Sequence, residues 1–276
     1  MITVPPPPAT AFGKVRWILA DGWTIARRDL THLRNRPAYL ISVTVFPMTF
    51  IVIFGYILGS AIDMPGGHYR EYLMPGIFAM TTAFGAVATM VVVASEMSKG
   101  VIDRFRSLPM SRSAVLLGRA VGDLLGTIPG TALMVAAGYA VGWRIQNGWP
   151  GALAAFGLLF LLRFALTWVG AYVALLARTP ETADQMGTAV IFPLTMVGNT
   201  FVPTQGMPSW LRTVADWNPL SALTTASRVL FGNPGAPGPD AAWPLQHSIA
   251  VALGWSIALI AVFLPLAVRR YRALAR

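Results

Sequence analysis

The chain has 276 residues, of which 55% are apolar and 12% charged, and its mean hydropathy is +0.60. Soluble domains carry about 25% charged residues, so this composition excludes an ordinary soluble protein and predicts an integral membrane protein. The absence of cysteine excludes disulfides, a thiol nucleophile and a cysteine metal site. The net charge of +10 does not indicate nucleic-acid binding, because the basic residues lie in segments between apolar stretches.

The first 36 residues form two segments. Residues 1–10 contain the run Pro5 to Pro8, which predicts a disordered tail and is not typical of a secretory signal peptide. Residues 11–36 carry apolar side chains at steps of three or four, which predicts an amphipathic helix. Its basic residues favour a position in the membrane interface, either as a passive anchor or as a lever moved by a partner.

Six later stretches are long and apolar enough to cross a bilayer, which takes about 20 helical residues. They predict an all-α integral membrane fold with a six-span transmembrane domain over residues 37–268 and a basic tail over 269–276. The fifth stretch is the weakest, because Pro193, Gly198 and Asn199 interrupt it. The stretches are 38–60, 73–95, 115–141, 151–177, 186–203 and 248–268.

Basic and aromatic residues predict the orientation of these spans. Most Arg and Lys residues lie in 1–37, 96–119 and 269–276, and an even number of spans places these segments on one face. The positive-inside rule therefore predicts that both termini are cytoplasmic. The basic residues assigned to outer loops are Arg70, Arg144, Arg212 and Arg228. Tryptophans at the predicted outer boundaries are typical of an aromatic belt: Trp143, Trp149, Trp210, Trp217 and Trp243.

The main charged interruption between spans is the segment 96–112. Charged residues alternate there with apolar ones such as Phe105 and Leu108, and Pro109 predicts a bend because the residue before proline avoids helical conformations. Taken alone, the pattern fits both a solvated loop and an element that docks on a partner.

Two motifs carry a family resemblance. The run EMSKGVIDRFRSLPMSR over 96–112, followed by LLGR at 116–119, resembles the signature of type-2 ATP-binding-cassette (ABC) exporter permeases. It is most similar to the daunorubicin-resistance type of drug-efflux permease. A second run, from Phe201-Val202-Pro203 through Asn218-Pro219-Leu220-Ser221 to Arg228, resembles the family's segment after span five. In a departure from the family pattern, Met97 and Ser98 follow Glu96 where a second acidic residue is usual.

The resemblance implies a transporter subunit with no active site of its own. Two copies of a cytoplasmic ABC ATPase subunit would bind ATP and Mg, and a second permease, identical or homologous, would complete the membrane part. Segment 96–112 would be the coupling helix, 11–36 the connecting helix, and 203–230 a set of short re-entrant outer helices. The complex would export a hydrophobic or amphipathic small molecule, such as a drug, lipid or natural product, across a bacterial plasma membrane.

The resemblance also implies roles for particular residues. Residues expected to couple the chain to the ATPase are Glu96, Lys99, Asp103, Arg104, Phe105, Arg106, Leu108 and Pro109. The cargo path is expected between spans one, two and five, although for any single residue ordinary packing against lipid or other helices is the favoured explanation. The candidates are Phe46, Phe50, Phe54, Met80, Phe84, Met90, Met196, Asn199 and Phe201.

Arg163 lies deep in the fourth span, where a charge costs about 2.5–3.5 kcal/mol on insertion scales. We therefore expect it to pair with Asp123 of the third span or to contact cargo. Glu181 and Asp184 are assigned to the inner loop before span five. His32, His68 and His247 have no carboxylate or serine at catalytic or metal-ligand spacing.

There are four alternative functions for a membrane protein of this composition. Export of a lipid-linked glycan or glycolipid by an ABC permease fits the same motifs, and a membrane-embedded regulatory protein without transport activity also fits. A lipid-modifying enzyme would need clustered polar residues at one interface, and a gated channel would need a polar ring along a pore. The sequence shows neither pattern.

Overall fold

The computed structural model describes residues 37–59, 68–99, 112–177 and 179–274, with side chains left undescribed in 37–44, 58, 112–119, 272 and 274. All regular structure in these ranges is helical. The predicted connecting helix at 11–36 and most of the segment 96–112 lie outside them.

The long helices follow the predicted spans. Helix α1 spans Pro37–Val52 and continues as a π-helix over Ile53–Leu58, α2 spans Tyr69–Ser98, α3 Arg112–Ala140, α4 Gly148–Ala174 and α5 Pro180–Met196. After a 3₁₀ turn at Thr204–Gly206 come α6 (Ser209–Trp217), α7 (Pro219–Phe231), α8 (Trp243–Gln246) and α9 (Ser248–Leu274).

Four of the described helices are long and apolar enough to span a membrane, namely those covering Tyr69–Ser98, Ala120–Ala140, Gly148–Ala174 and Ser248–Tyr271. A shorter apolar helical stretch covers Val45–Ile57. The membrane character predicted from composition is therefore present in the fold.

The fifth helix begins earlier than its apolar pattern predicts. The side chain of Thr179 accepts a hydrogen bond from the Thr182 backbone N–H at 3.2 Å, and Pro180 occupies the first helical position. Both features are typical of helix starts. Glu181 and Asp184 therefore lie within α5, and their assignment to a loop was wrong.

The core is built around α2 and α4. Helices α5, α7 and α9 pack around this pair, while α1 and α3 lie at the side. A second, smaller hydrophobic cluster lies at the end of the bundle where α2, α4 and α9 end and α3 begins. We call that end of the bundle the basic end. The buried members of this cluster are Ala120, Trp168, Ala171, Leu175, Ala267 and Tyr271.

The opposite end of the bundle carries α6, α7 and α8. Helix α7 ends at Gly232, whose φ of +75° is the left-handed conformation that glycine adopts most readily at a helix end. Trp143, predicted for the aromatic belt, is instead fully buried and donates to Asn233 Oδ1 at 2.7 Å. Exposure is at least 51% for the other four predicted belt residues, Trp149, Trp210, Trp217 and Trp243.

Candidate functional site

Five phenylalanines form a continuous column, which we call the phenylalanine column: Phe46, Phe50, Phe54, Phe84 and Phe201. The first three recur at steps of four along α1 and its π-helix, so they share one face. Phe46 contacts Phe84 of α2, with ring centroids 5.3 Å apart, and Phe54 stacks on Phe201 at 4.5 Å. Phe50 joins the two ends, 5.0 Å from Phe46 and 5.5 Å from Phe201.

The column connects an exposed position on the described bundle with a buried one. Phe46 is 44% exposed, whereas Phe201 is 5% exposed. An aromatic strip of this kind offers flat faces to an apolar or aromatic molecule. The predicted methionines belong to the main core, which Phe201 shares: Met80 and Met90 are buried in it, and Met196 packs against it.

Beyond α5 the backbone leaves the helix, and the other elements supply its hydrogen bonds. The helix ends at Met196, three residues after Pro193, and the residue that follows it, Val197, has φ −87° and ψ 78°. Non-helical backbone at membrane depth is tolerated only where protein or water satisfies its polar groups. We call this region, residues 194–201 with its donors, the outer junction.

Side chains from α2 and α7 bind the outer junction from two sides. Asn218 Nδ2, at the start of α7, donates to Leu194 O at 2.7 Å and to Val197 O at 2.5 Å. From α2, Tyr72 Oη donates to Asn199 O at 3.0 Å and Tyr69 Oη donates to Phe201 O at 2.8 Å. The turn is thus fixed to both helices.

Asn199, a candidate for the cargo path, is itself held by α7. Its side-chain Nδ2 donates to Thr225 Oγ1 at 2.6 Å, and its backbone N–H donates to Ser221 Oγ at 3.2 Å. With 6% exposure, it belongs to the outer junction.

Arg228 completes the outer junction. It is 1% exposed, and its Nε donates to Tyr72 O at 3.0 Å while Nη2 donates to Asn199 O at 2.8 Å and Thr200 O at 3.2 Å. Its guanidinium also lies 3.5 Å from the centroid of the Tyr72 ring. The sequence placed Arg228 in the outer segment 203–230, between spans five and six. The structure places it in α7, where packing against α2 and the turn after α5 buries it.

A second buried arginine forms what we call the inner network, which consists of Arg163, Asp123, Thr89 and Thr167. Arg163 Nη2 donates to both carboxylate oxygens of Asp123, at 2.8 Å to Oδ1 and 2.7 Å to Oδ2. Thr167 Oγ1 lies 3.0 Å from Asp123 Oδ2, and Thr89 Oγ1 lies 3.3 Å from the same oxygen. The structure thus brings together the two charges that the sequence analysis expected to pair.

The predicted coupling residues are only partly described. Glu96 lies in the last turn of α2, and Lys99 follows the helix, with its backbone N–H bound to Ser95 O at 3.2 Å. Both therefore mark the point where the chain leaves α2 at the basic end. The remaining predicted residues lie outside the described ranges: Asp103, Arg104, Phe105, Arg106, Leu108 and Pro109.

Comparison with known proteins gives one consistent picture. The model of the family described as ABC-2 type transporter matches residues 21–231. The chain is 31% identical over 272 residues to a daunorubicin resistance ABC transporter permease protein, DrrB1, of Streptomyces coeruleorubidus, covering 94% of this chain and 93% of that protein. It is 22% identical over 225 residues to a doxorubicin resistance ABC transporter permease protein, DrrB, of Mycobacterium tuberculosis, covering 82% and 77% of the two chains.

Proposed function

The chain belongs to the ABC-2 type transporter family, and from this premise we propose that it exports hydrophobic or amphipathic small molecules as the permease subunit of an ABC exporter. A separate ATPase subunit, in two copies, binds ATP and Mg, and a second permease, identical or homologous, completes the complex. The observation that carries the proposal is the similarity to a daunorubicin resistance permease along nearly the whole chain.

Six spans, with both termini in the cytoplasm of a bacterial cell, complete the proposed topology. Besides the four long apolar helices, α1 and its π-helix together cover residues 37–58 without interruption. At about 1.5 Å per residue this segment is about 30 Å long, close to the thickness of a hydrocarbon core. The remaining span is α5, the fifth in chain order, which the outer junction extends toward the outer face.

The phenylalanine column supports the proposed class of cargo. Sites for small molecules are mostly apolar and aromatic, with a few polar groups. A column open to the bilayer at Phe46 and closed at Phe201 suits a flat amphipathic molecule that enters from the membrane. The drugs in the names of the two relatives, daunorubicin and doxorubicin, are therefore suitable first probes.

Transport follows as a population shift between two states. ATP binding brings the ATPase subunits together, and the segment 96–112 moves with them. A partner shifts the equilibrium only through contacts that differ between the two states. The bundle then opens its outer end, and the column releases cargo beyond Phe201.

The test is reconstitution of the chain with its ATPase subunit in liposomes. We expect ATP to drive doxorubicin movement, followed by its fluorescence, and a non-hydrolysable ATP analogue to drive none. Phe105→Ala with Leu108→Ala should leave the subunits folded but reduce doxorubicin transport at least tenfold. Failure of any ATPase subunit to co-purify with the chain, or transport without ATP, would contradict the proposal.

A further inference from the structure

The inner network connects the two helices that flank the segment 100–111 to a third helix. Thr89 belongs to α2, Asp123 to α3, and Arg163 and Thr167 to α4. We propose that this network transmits movement of the coupling segment, residues 96–112, to α4; the inference rests on the proposed function. Arg163 and Asp123 are then positioning residues for transport, beyond their contribution to folding.

The network lies at matching depths on both flanking helices. Thr89 precedes the end of α2 at Ser98 by nine residues, and Asp123 follows the start of α3 at Arg112 by eleven. At about 1.5 Å per residue, Thr89 lies about 14 Å along α2 from Ser98, and Asp123 lies about 17 Å along α3 from Arg112. A displacement of the coupling segment would therefore move α2 and α3 together, and both helices would act on α4 at the same depth in the bundle.

Helix α3 depends on such a contact more than its neighbours do. Helix α3 packs only sparsely on the other described helices. In its most apolar stretch 22% of residues are buried, against 61% in α2 and 56% in α4, and α9, at 11%, differs from α3 in packing extensively on α4. Apolar packing alone therefore holds α3 loosely, whereas an ion pair at 2.7 Å is strong and directional. The charged contact determines whether α4 follows when α3 moves.

The ion pair also has a second arrangement within reach. Nη2 alone binds both oxygens of Asp123, while Nε is buried without a partner among the described residues. A carboxylate prefers to accept from two guanidinium nitrogens at once. A small slide of α3 would let Asp123 bridge Nε and Nη2, so the pair can hold α3 in two positions.

Gly85 offers a way to disturb the network without removing a charge. The Arg163 guanidinium lies directly against this glycine of α2, and an added Cβ would overlap it. Gly85→Ala must therefore displace the guanidinium. Gly157→Ala is the matched control, because a Cβ there meets no atom within 4 Å and the residue lies on the same helix as Arg163.

The experiment measures doxorubicin transport and ATP hydrolysis in the same liposomes containing the full complex. We expect Gly85→Ala to keep at least half of the hydrolysis rate but to lower transport per ATP at least fivefold, with Gly157→Ala unchanged. Asp123→Asn should lower the ratio similarly, and Asp123→Glu, which keeps the carboxylate, should restore at least half of it. Should Gly85→Ala fail to fold, the Asp123 pair of variants provides the same comparison.

The outcomes separate this inference from the proposed function. An unchanged ratio in folded Gly85→Ala and Asp123→Asn complexes, alongside active wild type, would overturn the inference alone. A parallel fall of hydrolysis and transport, with the ratio constant, would also overturn it, because it would indicate a purely structural role. Absence of ATP-dependent transport by the wild-type complex would overturn both.

Discussion

Among the residues that the structure describes, two arginines are buried, and the protein satisfies them in opposite ways. Arg163 in α4 faces a carboxylate, Asp123, at 2.7 Å. Arg228 in α7 is more deeply buried, yet its described hydrogen bonds go to three backbone carbonyls, and its guanidinium lies over the Tyr72 ring. The first joins three regular helices, whereas the second holds a turn where a helix has broken.

Magnitudes show why both solutions are stable. Burying one ion costs several kcal/mol after relaxation. Three hydrogen bonds from a charged donor contribute about 1.5–3 kcal/mol each, and a desolvated cation–π contact adds about 2 kcal/mol. Asn199 O and Thr200 O, which the break after α5 frees, together with Tyr72 O of α2 thus offset the burial of Arg228. Arg163 has intact helices around it, whose carbonyls are already occupied, so it needs a carboxylate.

The largest expected effect comes from removing the cation at the outer junction. Arg228→Met removes this donor from the carbonyls of Tyr72 and Thr200, at about 1–3 kcal/mol each, while Asn199 O keeps its hydrogen bond from Tyr72 Oη. We expect a loss of about 2–6 kcal/mol and little folded protein, measured as monodisperse yield and the thermal unfolding midpoint in detergent. Arg70→Met is the control, because Arg70 is exposed and donates to a single carbonyl, Val141 O at 3.2 Å, so the cost should be about 1 kcal/mol. Equal behaviour of the two variants would contradict the role of Arg228.

Removing the other cation should cost less and should be reversible by a second change. Arg163→Met leaves Asp123 without its partner, which costs about 3–5 kcal/mol for a fully buried pair and less here, because the Asp123 side chain is 23% exposed. Replacing both, with Arg163→Met and Asp123→Leu, removes the stranded charge and should recover most of the stability. The unfolding midpoints of the single and double variants test this. No recovery in the double variant would show that the pair is not the source of the loss.

The phenylalanine column provides a third comparison, between its buried and exposed ends. Phe201→Leu removes stacking on Phe54 and Phe50 at a 5% exposed site, so we expect a loss of about 1–2 kcal/mol. Phe46→Leu, at 44% exposure, should cost below about 0.5 kcal/mol. If the column also carries cargo, both variants should raise the doxorubicin concentration needed for half-maximal stimulation of ATP hydrolysis. A change in stability without any change in that doxorubicin concentration would show that the column contributes to packing and does not contact cargo.

The difference between the two arginines also explains how much the sequence could predict. Helices α1 to α4 and α9 follow long apolar runs, which identify them without tertiary information. The Arg163 and Asp123 pairing was expected because each charge interrupts such a run. Arg228 stands in a short polar stretch whose burial depends on contacts with α2 and with the turn after α5. Trp143 was misplaced for the same reason, since its partner Asn233 is 90 residues away.

The smallest expected effect compares single hydroxyl groups in the two regions. Ser221 Oγ accepts the Asn199 backbone N–H at 3.2 Å, and Ser221→Ala removes that acceptor from a buried donor. Thr167 Oγ1 lies 3.0 Å from Asp123 Oδ2, but Thr167→Val leaves the carboxylate bound to Arg163. We expect about 1–3 kcal/mol for Ser221→Ala and below about 1 kcal/mol for Thr167→Val, from thermal unfolding midpoints. The reverse order would mean that hydrogen bonds at the outer junction, like those of the inner network, can substitute for one another.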